Sequence, residues 1–168
     1  EKSILGRKPA AVLGRFVAEA QSALVTLSES AHAREMDSAT AILAKARDIY
    51  LLGLGGSFPV AIHLAYVLRK LGRRVMLLDG IGGSIHEQSH PATAEDALVA
   101  ISFRNYYPDT ARLFPELVAR NVPAISITDS LLSPIVEGAS VVFEIQDMPE
   151  PALRTLVDAV RVPPEVRD

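Results

Sequence analysis

From Pro9 to about Ala31, apolar side chains recur three and four positions apart: Val12, Leu13, Phe16, Val17, Ala20, Leu24 and Leu27. That spacing lines them up as one stripe of an amphipathic helix. A second, shorter helix is expected from Asp37 or Ser38 to about Ala46, carrying Ile42 and Leu43, with Asp37 or Ser38 capping its free amides. The pattern then changes. Ile49-Tyr50-Leu51-Leu52 is a short apolar run that ends in Gly53-Leu54-Gly55-Gly56-Ser57. Val60, Leu64, Val67, Leu68 and Leu71 restore helical spacing up to Gly72, a natural helix stop. Further apolar runs follow at Val75–Leu78, Ala97–Ile101, Ala124–Ile127 and Val141–Phe143. Between the third and fourth runs, Leu113, Leu117 and Val118 mark a helix opened by Pro108-Asp109.

Near-continuous apolar strands alternating with helices imply a parallel sheet covered on both faces, and right-handed crossovers set the helices on those faces. The expected fold is therefore α/β: a three-layer α/β/α sandwich around a five-stranded parallel sheet of flavodoxin-like order 2-1-3-4-5, preceded by an amphipathic helix. The predicted boundaries are 1–34 for the leading helix and 35–168 for the α/β domain.

In such sheets ligands sit beyond the carboxyl ends of the strands, where the strand order reverses. With this order, the loops that meet there are Gly53–Ser57 and Ser102–Tyr107. Gly55 and Gly56 permit close backbone approach or positive φ. Ser57 falls at a helix N-terminus, whose free N–H groups and dipole attract an anion. Ser102 faces it, and Arg104 adds a planar cationic fork suited to phosphate. The same residues read equally well as an N-cap and a glycine turn.

Taken together, Ile49–Ser57, Val99-Ala100-Ile101-Ser102-Phe103 and Ile125–Ser130, with Ser133-Pro134-Ile135 following, resemble the sugar isomerase (SIS) domain, and more narrowly the SIS effector domain of RpiR-type bacterial transcription regulators. The resemblance covers about residues 35–145. It implies a domain that senses a phosphosugar, joined in those regulators to an N-terminal helix-turn-helix domain. Residues 1–34 would then be the linker from a DNA-binding domain absent here. It also implies that Ser57 and Ser102 contact the phosphosugar. The usual motif after the third strand is Ser-x-Ser-Gly-x-Thr, whereas this chain has Ser102-Phe103-Arg104-Asn105-Tyr106-Tyr107. A hydroxyl-and-amide cradle has lost donors there and gained a cation. Arg104 is expected at the anionic end of the ligand, and Asn105, Tyr106 and Thr128 at the sugar end. Thr128 and Asp129 end the fourth strand on the ligand side. Tyr106 and Tyr107 read as either pocket wall or surface packing. The tail from Pro149, with Pro163-Pro164, is shorter than the closing helix the resemblance implies.

Other motifs compete. His86-Glu87-Gln88-Ser89-His90 matches H-E-x-x-H, in which two imidazoles bind zinc and Glu is the base. Gly82-Gly83 before it and Pro91 after it leave about two turns, too little helix to aim both imidazoles, so no metal is expected. Gly53-x-Gly55 with Asp79 mimics a dinucleotide fingerprint, but Phe58 holds the third glycine position and Asp79-Gly80 reads as a turn. No cofactor is expected. His63, between Ile62 and Leu64, reads as structural, His32 as a helix-end residue, and Ser133 before Pro134 as a helix cap.

Composition narrows the function. The 168 residues carry 17 Lys+Arg against 20 Asp+Glu, a net charge of −3, and no cysteine. Disulfides and thiolate metal sites are excluded, and the acidic balance argues against gripping nucleic acid without another domain. No apolar stretch reaches the ~20 residues of a membrane span. The chain begins at Glu1 without Met or a signal-peptide pattern, and reads as a piece of a longer cytoplasmic protein. The function the resemblance implies is sensing of a phosphorylated sugar or sugar acid without turnover, in a homodimer or tetramer, with DNA reached only through the missing domain. The alternatives are an aldose–ketose phosphosugar isomerase with Glu87 or His86 as base, and a ligand-free dimerisation module.

Overall fold

The computed structural model describes residues 9–29 and 33–145. The tail from Pro149 and His32, both interpreted above, lie outside the described residues. The elements are α1 (Pro9–Glu29), α2 (Ala33–Lys45), β1 (Ile49–Leu52), α3 (Phe58–Lys70), β2 (Val75–Leu78), α4 (Ile85–Ser89), β3 (Ala97–Ser102), α5 (Pro108–Ala119), β4 (Ala124–Thr128) and β5 (Val141–Glu144). The chain divides into two compact units, with α1 in one and residues 33–145 in the other. Val17, Leu24 and Val25 of α1 are exposed. No helix among the described residues is long and apolar enough to cross a membrane.

The five strands form one parallel sheet in the order β2-β1-β3-β4-β5. Alternation along each strand sends side chains to two separate cores. Ile49, Leu51, Val99, Ile101 and Ile125 meet Ala39 of α2 and Ala61, Ala65 and Leu68 of α3 on one face. Tyr50, Leu52, Leu98, Ala100 and Ala124 meet Ile85 of α4 and Leu113, Phe114 and Leu117 of α5 on the other. This is the expected three-layer sandwich. Each fully buried Leu, Ile or Phe contributes about 2 kcal/mol by leaving water.

Two expectations fail locally. The second helix starts at Ala33, not at Asp37 or Ser38, which face solvent inside it. Ala33, Arg34, Glu35 and Met36 are all competent helix formers, and Glu35 suits the positive end of the dipole. Ser133 caps no helix, because residues 131–138 form successive turns. The apolar stretch there, Ile135-Val136, is too short to propagate a helix before Gly138.

At the amino end of the sheet, buried Asp96 accepts hydrogen bonds from the Thr93 backbone N–H at 2.8 Å, the Thr93 hydroxyl at 3.0 Å and Arg47 Nη2 at 3.0 Å. Asp48 accepts from Arg74 Nε at 2.7 Å. Burial alone would raise the Asp96 carboxyl, but the Thr93 hydrogen bonds and the Arg47 charge outweigh it and hold the group below its ordinary range. This network fastens the starts of β1, β2 and β3, the end of the sheet away from the candidate ligand loops.

Candidate functional site

The loop after β1 is shaped by close approach. A Cβ on Gly53 would lie 3.0 Å from Ala61 Cβ and 3.5 Å from Ile101 Cβ, so the chain there lies tight between α3 and β3. Gly55 has φ of +58°, and a Cβ on it would meet Tyr107 Cδ2 at 2.8 Å. Residues 55–57 make a single 3-10 turn that runs into α3. Ser57 occupies the N-cap position but its side chain makes no capping bond, so the capping role read from the sequence is not taken up. The first turn of α3 contains no acidic residue, leaving the positive end of its dipole without a counter-charge of its own. In α5, by contrast, Asp109 lies in the first turn and pairs with Arg112 at 2.9 Å.

Leu52 pairs with Ala100, and a Cβ on Gly53 would lie 3.5 Å from Ile101 Cβ, so the end of β3 runs beside the start of the glycine loop. The β1 loop leads to α3 on one face and the β3 loop to α5 on the other. The strand order reverses between β1 and β3, where ligands of such sheets are commonly held. Ser57 and Ser102 are 6% and 2% exposed, and neither hydroxyl has a hydrogen-bond partner among the described residues. Neither belongs to the fully enclosed unpartnered side-chain atoms, which are Arg73 Nε, Thr110 Oγ1 and Ser133 Oγ. Two nearly buried hydroxyls, one at the N-cap of α3 and one at the end of β3, are thus left without a protein partner among the described residues.

The segment after Ser102 braces its neighbours on both sides. Phe103 packs on the α2/α3 core. Arg104 is exposed, and its Nε lies 3.7 Å from Asp129 Oδ2 at the end of β4. Asn105 is exposed and takes a left-handed φ of +65°, which Asn tolerates. Tyr106 turns towards β4: burial, then the hydrogen bond and charge of Asp129, raise its phenol above the usual range, with Ser133 also alongside. Tyr107 turns the other way and covers Gly55. Thr128 is fully buried and its hydroxyl donates to the Ser102 carbonyl at 2.8 Å, so it steadies the end of β3. The sequence left the two tyrosines undivided and missed the pairing of Arg104 with Asp129. Ser102 pairs with Thr128 at the ends of β3 and β4, and Arg104 and Asp129 lie in the loops that follow.

The competing motifs fall elsewhere. α4 is five residues long, so His90 lies past its end, while His86 Nδ1 lies 3.7 Å from Glu116 of α5 and Glu87 is exposed. Asp79 accepts from the Ile81 backbone N–H at 3.0 Å and from Gln88 Nε2 at 2.8 Å, and these bonds lower its pKa. It closes a turn. His63 faces solvent on α3 instead of packing in the core.

Comparison with known proteins agrees with this fold. A Haemophilus influenzae HTH-type transcriptional regulator is 27% identical over 112 residues, 66% of this chain and 38% of that protein. The chain thus spans well under half of that curated relative. The sugar isomerase domain of an RpiR transcription factor from Sphaerobacter thermophilus shares the fold with a TM-score of 0.72 at 21% identity, over 92% of this chain and 98% of that one. The Vibrio vulnificus NanR protein, solved with ManNAc-6P, superposes with a TM-score of 0.68 at 20% identity, over 84% of this chain and 58% of that one. The SIS domain family model matches residues 42–163, most of the sequence, and with the sheet order and the strand-end loops it establishes that this chain belongs to the SIS domain family.

Proposed function

We propose that this chain is the effector-sensing domain of a transcription regulator and that it binds a phosphorylated sugar or sugar acid without converting it. One observation carries the reading: the hydroxyls of Ser57 and Ser102 are nearly buried and without a hydrogen-bond partner among the described residues, and Ser57 stands at the N-terminus of α3, whose first turn has no acid. The regulator relatives, one of them solved with a phosphosugar, support it. In this reading Ser57, Ser102 and the Gly55 and Gly56 amides hold the phosphate, and Arg104 contributes its outward-facing guanidinium. Asn105 and Tyr106 stand on the sugar side. Residues 1–34 form the connection to a DNA-binding domain and 35–168 the sensor, in a cytoplasmic homodimer or tetramer. The ligand acts by favouring one arrangement of the copies, since equal affinity for two arrangements shifts neither.

Calorimetric titration with hexose, hexosamine and N-acetylhexosamine 6-phosphates, paired with product analysis of the same mixtures, tests this. We expect at least one ligand to bind and to be recovered unchanged, with Ser57→Ala weakening it roughly tenfold, the equivalent of about 1.4 kcal/mol for a lost charge-assisted hydrogen bond. Formation of the isomeric sugar phosphate, abolished by Glu87→Ala, would replace the sensor by an isomerase.

A further inference from the structure

Two buried aspartates stand at opposite ends of the sheet, and they are satisfied very differently. The Asp96 side chain is sealed from solvent and receives bonds from Thr93, Arg47 and the Asp48 backbone N–H, all between 2.8 and 3.2 Å. The Asp129 side chain is only 5% exposed, yet its neighbours are Arg104 Nε at 3.7 Å, Thr128 Oγ1 at 3.5 Å and the Tyr106 phenol. The Thr128 hydroxyl already donates to Ser102, at 2.8 Å. A carboxylate removed from water normally collects several short hydrogen bonds, because each oxygen accepts two and unmet capacity is costly. Asp129 has that unmet capacity at the ligand end of the sheet. The charge beside it is Arg104, whose side chain is 79% exposed.

Resting on the phosphosugar reading above, we propose that Asp129 is the specificity-determining acceptor of the site, taking a hydrogen bond from a hydroxyl or amino group of the ligand when Arg104 leaves it for the phosphate. The Arg104–Asp129 pair sums to no net charge, so a bare anion gains little from Arg104 while Asp129 holds it. A ligand with an anionic end and a hydrogen-bond donor on its carbon chain satisfies both partners at once. Asp129 therefore selects polyhydroxylated or amino-substituted phosphates over simple anions.

The test compares two probes on the same protein: inorganic phosphate, and the tightest-binding member of the sugar 6-phosphate panel. Asp129→Asn keeps the volume and removes the charge, and Asp129→Ala removes the acceptor. Both should lower the preference for sugar phosphate over inorganic phosphate at least tenfold. Affinity for inorganic phosphate itself should stay level or rise as Arg104 is released. Equal losses for both probes, or an unchanged preference, would overturn the inference and leave Asp129 a structural residue. Failure of the underlying reading looks different: Ser57→Ala and Ser102→Ala would leave both affinities intact, or the wild-type protein would bind neither probe, and the role of Asp129 would fall with it. Unfolding curves of the free variants confirm that each is folded.

Discussion

Single residues decide whether the β1 loop can hold its shape. Gly55 and Gly56 are adjacent and look interchangeable in the sequence, yet they make opposite demands. At Gly55 the backbone is left-handed and the Tyr107 ring leaves no room for a Cβ, whereas a Cβ on Gly56 would meet nothing within 4 Å. Gly55→Ala should therefore cost about 1–3 kcal/mol of stability, from left-handed strain plus displacement of Tyr107, and Gly56→Ala about 0.5 kcal/mol or less. Chemical denaturation of the two variants measures this, and equal losses would show that Tyr107 does not brace the loop. Loop residues such as Ser57 and Ser102 were legible in the sequence because their place after apolar runs fixes them at strand ends. What Tyr107 covers and what Arg104 faces were not, since side-chain directions in a loop follow no periodicity along the chain.

Among the elements, the strands were read closely because burial on both faces leaves an almost unbroken apolar run. The start of α2 was misjudged because a plausible cap does not end a helix when the residues before it are also good helix formers. The segment after β4 was misjudged for a related reason: Ser-Pro signals a helix start only if enough helix follows. The Asp96 network was invisible to pattern reasoning, since it joins residues about fifty positions apart. It carries a pH dependence whose sign is fixed. The folded pKa of Asp96 lies below the unfolded value of about 3.9, so its contribution is complete above that pH and is lost as pH falls through the folded pKa. Asp96→Asn should lower stability at neutral pH by about 2 kcal/mol and flatten the acid limb of the stability curve. Denaturation midpoints between pH 2 and 7 check it, and parallel acid limbs in the two proteins would contradict it.

At the scale of the whole molecule, the sheet places its two fastenings and its candidate site at opposite ends. Asp48 and Asp96 tie the amino ends of β1, β2 and β3, and Ser57 and Ser102 lie towards the carboxyl ends of β1 and β3. The most direct measurement is the free energy of unfolding of the wild-type chain and of a Ser57→Ala/Ser102→Ala double variant, each with and without the tightest-binding sugar phosphate. At about 100 times the dissociation constant, the ligand should stabilise the wild type by about 2.7 kcal/mol and the double variant by far less at the same concentration. Equal stabilisation of both proteins, or none of the wild type by any phosphosugar, would contradict the account.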